Sequence, residues 1–335
     1  MKPYVNYSGL VPKRLSTEDA LAAIHAIRQA PEKYDLARDL APFLRHKSNH
    51  VVAAAAATAE RLEAGALAPD LVEAFDRLMR DAAKLDPGCK ATIAIVQALV
   101  QLEDSAAKVY FAGIRHVQKE GSFGPPVDAA APLRGFCARG LARMGHPDAL
   151  LECVNLLADS EIPARTGAIR AVADSGRPDG VPLLRLKTLL GDREMEVIGE
   201  CFSALLSLDP AGSVEFVAKF LNSGDEGIPE QAALALGESR QTAAFSVLRD
   251  AWERGGAREL RRTLLTAIAL LRVDEALEFL LERLRSESGP VAADALAGLV
   301  FYARDEAVAT RIEEIIRQRG DSALEAVFAR EFRRA

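Results

Sequence analysis

Aromatic residues make up only 6% of this 335-residue chain, and Trp252 is its single tryptophan. Histidine is scarcer still, at five residues. None of the five is followed by glutamate, which excludes a di-iron centre built from repeated His-Glu pairs. The four cysteines, Cys89, Cys137, Cys153 and Cys201, are widely spaced with no C-x-x-C, which removes the usual zinc and dithiol motifs. They read as small core residues and suit a reducing compartment. No apolar stretch approaches the roughly 20 residues of a membrane span; runs such as Val51 to Ala57 are far too short. Met1 to Leu15 lacks the apolar segment of a signal peptide, so the expected location is cytoplasmic. Basic residues are outnumbered, 42 against 48, for a net charge of −6. That balance argues against a general nucleic-acid binder, while leaving room for a local basic patch.

Chemistry-bearing motifs are also missing. There is no glycine-rich phosphate loop, nucleophile elbow or carboxylate cluster. His46 and His50 have a helical metal spacing, but Ser48 and Asn49 between them read as a turn and cap that would separate the rings. Glu194, Glu196 and Glu200 read as a solvated helix face. The expectation is therefore no cofactor, no metal and no enzymatic activity.

What the chain does have is a period. Six turns begin at His146, Arg177, Asp209, Arg240, Arg272 and Arg304, spaced 31 or 32 residues apart. Eight residues before each turn stand Ala138, Ile169, Cys201, Ala232, Leu264 and Leu296. Five before stand Leu141, Val172, Ala204, Ala235, Ala267 and Leu299. The columns four before and twelve after, the latter running Ala158, Leu189, Leu221, Trp252, Leu284 and Ile316, are apolar too. With half the chain apolar, chance fills one such column roughly 1 time in 70. Offsets of −8, −5 and −4 share one face of a helix. Columns four, eight and twelve after the turn mark a second helix, with Ser213 and Arg185 as their only polar members. Repeated helix pairs of this length stack without closing a core.

The organisation follows. Residues 1–15, with Tyr4 and Tyr7, read as an extended arm that covers the first helix pair. Residues 16–117 carry irregular helix pairs: Ser16 caps the first helix, Pro31 ends it, and Asn49 caps a helix running to Ala64 with Gly65 after it. Residues 118–127, with two glycines, two prolines and Phe123, read as an insertion loop. The regular array spans 128–320, and 321–335 forms a terminal helix whose Leu324, Val327, Phe328 and Phe332 share one face.

The turn pattern resembles HEAT repeats, in the short bacterial form also found in phycobilisome lyases. The residues that carry the likeness are Asp159-Ser-Glu-Ile-Pro-Ala-Arg165-Thr-Gly-Ala168-Ile-Arg-Ala171 and then Gly176-Arg-Pro-Asp-Gly180. In that family an aspartate at the turn pairs with an arginine six residues on, a spacing kept by Asp128 with Arg134 and Asp159 with Arg165. The ladder position then lapses to Val197, Ile228, Leu260 and Ala292, with Arg261 and Arg262 beside it. The resemblance implies an all-α fold, an α-solenoid (right-handed superhelix) of about nine or ten antiparallel helix pairs. It is nearly silent on activity, because one fold serves many functions.

One constellation stands out. Arg139 and Arg170 share the column seven before the turn, about 140° around the helix from the ladder arginines. Later repeats place Phe202 and other apolar residues there, so the surface changes from basic to apolar. Two stacked arginines beside an apolar track suit a partner segment with an acidic end. The simpler reading pairs these arginines with Asp174 or Glu152. The expected function is a non-enzymatic protein-interaction scaffold that holds a protein or peptide through Arg139, Arg170, Phe202 and the Phe123 loop. Two alternatives are a lyase- or chaperone-like protein acting on a tetrapyrrole or modified protein, and a nucleic-acid-binding array.

Overall fold

A computed structural model describes residues 15–121 and 124–332 of the chain. Its helices fall into two units, Met1–Gly176 and Arg177–Ala335. The expected arm at residues 1–14 lies outside the described residues, as does Phe123.

The first unit contains α1 (Thr17–Gln29), α2 (Leu36–Leu44), α3 (Asn49–Arg61), α4 (Ala68–Leu78), the single turn α5 (Ala82–Leu85), α6 (Lys90–Gln101), α7 (Ala107–Ile114), α8 (Ala131–Arg143), α9 (Ala149–Leu157) and α10 (Ile162–Asp174). The helices α3, α6, α8 and α10 stack successively in one layer. Against that layer pack α2, α4, α7 and α9. The second unit repeats the plan with α11 (Gly180–Leu190), α12 (Met195–Leu208), α13 (Pro210–Ala218), α14 (Ile228–Glu238), α15 (Thr242–Glu253), α16 (Arg258–Leu271), α17 (Asp274–Ser286), α18 (Gly289–Leu299), α19 (Glu306–Arg319) and α20 (Ser322–Glu331). Here α12, α14, α16 and α18 form the stacked layer. Each unit is thus an all-α solenoid stack of helix pairs.

Periodicity explains the core. Every member of the −8 column is fully buried, and every member of the −5 column is at most 5% exposed. Ser16 caps α1, its Oγ accepting from the Asp19 amide at 3.1 Å. At the far end Leu324 and Phe328 of α20 are buried, and Phe332 stacks on Phe328 at 4.9 Å. The +12 column is buried at Leu221, Trp252, Leu284 and Ile316, but Leu189 is 68% exposed and with Leu186 and Leu190 leaves an apolar face of α11 exposed.

Three local expectations give way. Asn49 does not cap α3; its side chain donates instead to Asp86 Oδ1 and to the Pro87 carbonyl, both at 3.0 Å. The turn after α3 is closed by Glu63 in a left-handed conformation rather than by Gly65. Residues 118–127 are more than a loop, because Lys119–Glu120 (β1) pairs antiparallel with Val127–Asp128 (β2). His46 is buried, with Nδ1 accepting from the Ser48 amide at 3.0 Å, so its ring serves the turn.

Candidate functional site

The approach of α8 to α10 sets the geometry of the site. Gly135 and Gly167 face each other: a methyl group on Gly135 would lie 2.9 Å from the Gly167 Cα and 3.0 Å from the Pro163 carbonyl oxygen. Only residues without a side chain allow backbones this close. The two helices therefore carry their neighbouring side chains in register, and a depression of about 160 Å³ opens between them. Arg139, Phe136 and Pro132 line it from α8, and Arg170, Thr166 and Pro163 from α10. The structure thus brings Arg139 and Arg170 to one place. Phe136 and Thr166 went unnoticed in the sequence, since neither recurs in the other repeat: their counterparts are Gly167 and Gly135.

Arg139 is already engaged. Its Nε donates to Asp174 Oδ2 at 2.7 Å, with both side chains about one-third exposed (32% and 29%). Among the described residues its terminal amino groups make no further hydrogen bond. An exposed ion pair of this kind contributes under about 1 kcal/mol, so exchanging Asp174 for an incoming carboxylate costs little. Glu152, the other acid considered, pairs with Arg115 instead. Arg170 is exposed at the rim. Phe202 does not serve: it is fully buried in the second unit, with its ring 5.0 Å from that of Phe220.

Beneath this surface runs a buried polar ladder. Arg134 Nη1 donates to Asp128 Oδ2 at 2.8 Å and to the His116 carbonyl at 2.9 Å. The same guanidinium reaches forward to the next turn, with Nε and Nη2 on the two Asp159 oxygens at 3.0 and 3.1 Å. Arg165 does not take the Asp159 carboxylate; it donates to the main-chain carbonyls of Asp159 and Ser160. The ladder also extends backwards. Asp86, fully buried, accepts from the amides of Ala91 and Thr92 and from Thr92 Oγ1 at 2.8–2.9 Å. Asp86 and Thr92 keep the six-residue spacing of the Asp–Arg pairs, a signal hidden because the second residue is not arginine. The hairpin joins the two parts: the Gln118 amide donates to Asp128 Oδ1 and its Nε2 to the Asp86 carbonyl.

Burial opposes ionisation of Asp128, but hydrogen bonds from the Gln118 amide, Arg134 and the Ala130 amide outweigh it and hold its carboxyl below the usual carboxylate range. A group with a depressed folded pKa contributes in full above its unfolded value near 4 and loses that contribution as pH falls through the folded value. The urea midpoint of the wild type is therefore expected to drop as pH falls from about 4, with a shallower drop in Asp128→Asn. Parallel profiles for the two proteins would rule Asp128 out as a source of the acid sensitivity.

The cysteines hold no reactive thiolate. All four are buried, and burial raises each thiol, to about 12 for Cys89, Cys153 and Cys201. Among the described residues no group of three or more His, Cys, Asp or Glu could hold a metal ion, and no helix is long and apolar enough to cross a membrane.

Comparison with known proteins adds little beyond architecture. No family model matches the chain, and no curated protein matches it. Among solved structures it is similar to the complex of CpcE and CpcF of phycocyanin lyase from Nostoc sp., at 17% identity over 71% of this chain and 92% of that one, with a TM-score of 0.37. It is also similar to an engineered protein, at 17% identity over 94% and 92% of the two chains, with a TM-score of 0.35. The expectation that the chain is not an enzyme is withdrawn, because a phycocyanin lyase is among these structures. Likeness at this level assigns no reaction to the chain.

Proposed function

We propose that the chain is a protein-interaction scaffold that holds a segment of a partner polypeptide across the α8–α10 depression. Arg139 and Arg170 meet an acidic end of that segment, and Phe136 gives its apolar part a surface to pack on. The observation that carries this reading is the guanidinium of Arg139, held by one exposed carboxylate through Nε alone while its terminal amino groups remain available at the depression. A bidentate contact to a partner carboxylate is stronger than the present single bond. The lyase- or chaperone-like reading shares this surface and differs in what the partner carries.

A photo-crosslinking side chain placed at Phe136 tests the proposal in native lysate, with the same group at the exposed Ser246 as control. The expected result is a discrete protein adduct from position 136 that disappears when Arg139→Glu and Arg170→Glu are added. Adducts unaffected by the two reversals would overturn it. A pigment or other small molecule retained on the captured partner would favour the lyase-like reading.

A further inference from the structure

The second unit has a pocket in the corresponding slot of its repeats. Arg258 and Pro290 stand fourteen residues before their turns, as Pro132 and Pro163 do in the first unit. Between α16 and α18, closed on one side by the end of α15, lies a cavity of about 240 Å³. Trp252, Leu265, Pro290 and Val291 give it apolar walls. Its charged groups are Arg258, Arg261, Arg262 and a single acid, Asp294.

Three observations bear on what fits there. The first is an unbalanced charge. Arg262 stands 3.9 Å from Asp294 and is 72% exposed, so that pair is loose. Arg258 and Arg261 have no acidic partner within ion-pair distance among the described residues, in a chain with six more acids than bases. The second is a set of buried donors. Trp252 is 4% exposed, yet its indole N–H has no acceptor, and neither has the buried Nε of Arg261. Burying such a donor without a partner is costly, so native proteins rarely do it. The third is the placement of helix ends. Both α16 and α18 begin at the pocket, and neither has a side-chain cap, so first-turn amides add partial positive charge there. The guanidinium of Arg261 lies 4.6 Å from the Trp252 ring centroid, which fixes the cation against the ring face.

We infer that this pocket binds an oxyanion, carboxylate or phosphate, carried on a small apolar or aromatic body. The guanidiniums receive the oxygens, while Leu265, Val291 and Pro290 cover the body. The volume suits a group of side-chain size. The inference concerns the second unit and stands apart from the α8–α10 reading.

Because Trp252 is the only tryptophan, the fluorescence of the full chain reads this pocket directly. Phenyl phosphate and benzoate are expected to give a saturable change in emission, at concentrations at least tenfold lower than benzyl alcohol or inorganic phosphate requires. Comparing the two aryl anions shows which oxyanion the site prefers. The Arg258→Gln/Arg262→Gln variant changes exposed residues, so it should keep the wild-type circular dichroism and weaken binding at least tenfold. Asp294→Asn should tighten it about threefold, because it removes the only acid. The inference is overturned by an absent or non-saturable response, by equal binding of benzyl alcohol or inorganic phosphate, or by unchanged affinity in both variants.

Discussion

Replacing Gly167 with alanine is expected to lower the melting temperature by roughly 5–8 °C, the largest loss from any single methyl group in the first unit. An added Cβ at Gly167 would strike the Cα of Gly135. Backbone meets backbone there, so no side chain can swing away and the helices must separate. Overpacking of this kind costs about 1–3 kcal/mol before α8 and α10 lose contacts along their whole length. At the upper end of that range, because backbone cannot yield, the gain of about 1 kcal/mol in helix propensity leaves a net loss of about 2 kcal/mol. Gly65→Ala is the control, since nothing lies within 4 Å of its Cβ position and its backbone is not left-handed. Calorimetry distinguishes them: a Gly167→Ala melting point within a degree of the wild type would mean that the helices do not touch. The same substitution should also distort the Arg139–Arg170 depression, because Gly167 lines it.

Arg134→Ala is expected to destabilise the protein by about 3–5 kcal/mol, measured as a shift in urea midpoint at pH 7. The guanidinium is 4% exposed and serves two carboxylates, Asp128 at 2% and Asp159 at 15% exposure. Removing it leaves a buried charge at Asp128 with amide donors alone, and orphans the His116 carbonyl as well. Adding Asp128→Asn to Arg134→Ala should recover part of the loss, because the uncompensated charge is then gone. If Arg134→Ala falls within 1 kcal/mol of the wild type, the pair is not the anchor described above.

The repeat was legible in the sequence because it is a one-dimensional signal. Columns −8 and −5 stand at fixed offsets from each turn, and burial follows the helical period regardless of what lies far away in the chain. Arg139 and Arg170 were legible for the same reason, since a shared column puts them on neighbouring helices. What was not legible depends on reach across the stack. Asn49 has every local mark of a cap, yet finds Asp86, 37 residues on. Arg134 was matched with Asp128 by spacing alone, and nothing local announced that its other edge serves Asp159. Phe202 shares the column of Arg139, but its repeat folds that position into the core. The pocket around Trp252 was hidden for a similar reason. The ring was recognisable as an apolar column member, whereas the arginines beside it come from the following helix.

Repeat proteins are modular because each unit touches only its neighbours through similar surfaces. The ladder of the first unit limits that freedom. From Asn49 to Asp86, from Gln118 to Asp86 and from Arg134 to Asp159, polar groups of one repeat depend on groups supplied by another. Excising the segment between two turns there would take Arg134 away from Asp159. The stacked layer of the second unit is filled largely by the apolar columns, whose members are interchangeable between repeats. Substitutions in the first unit must therefore keep ladder residues of neighbouring repeats in step.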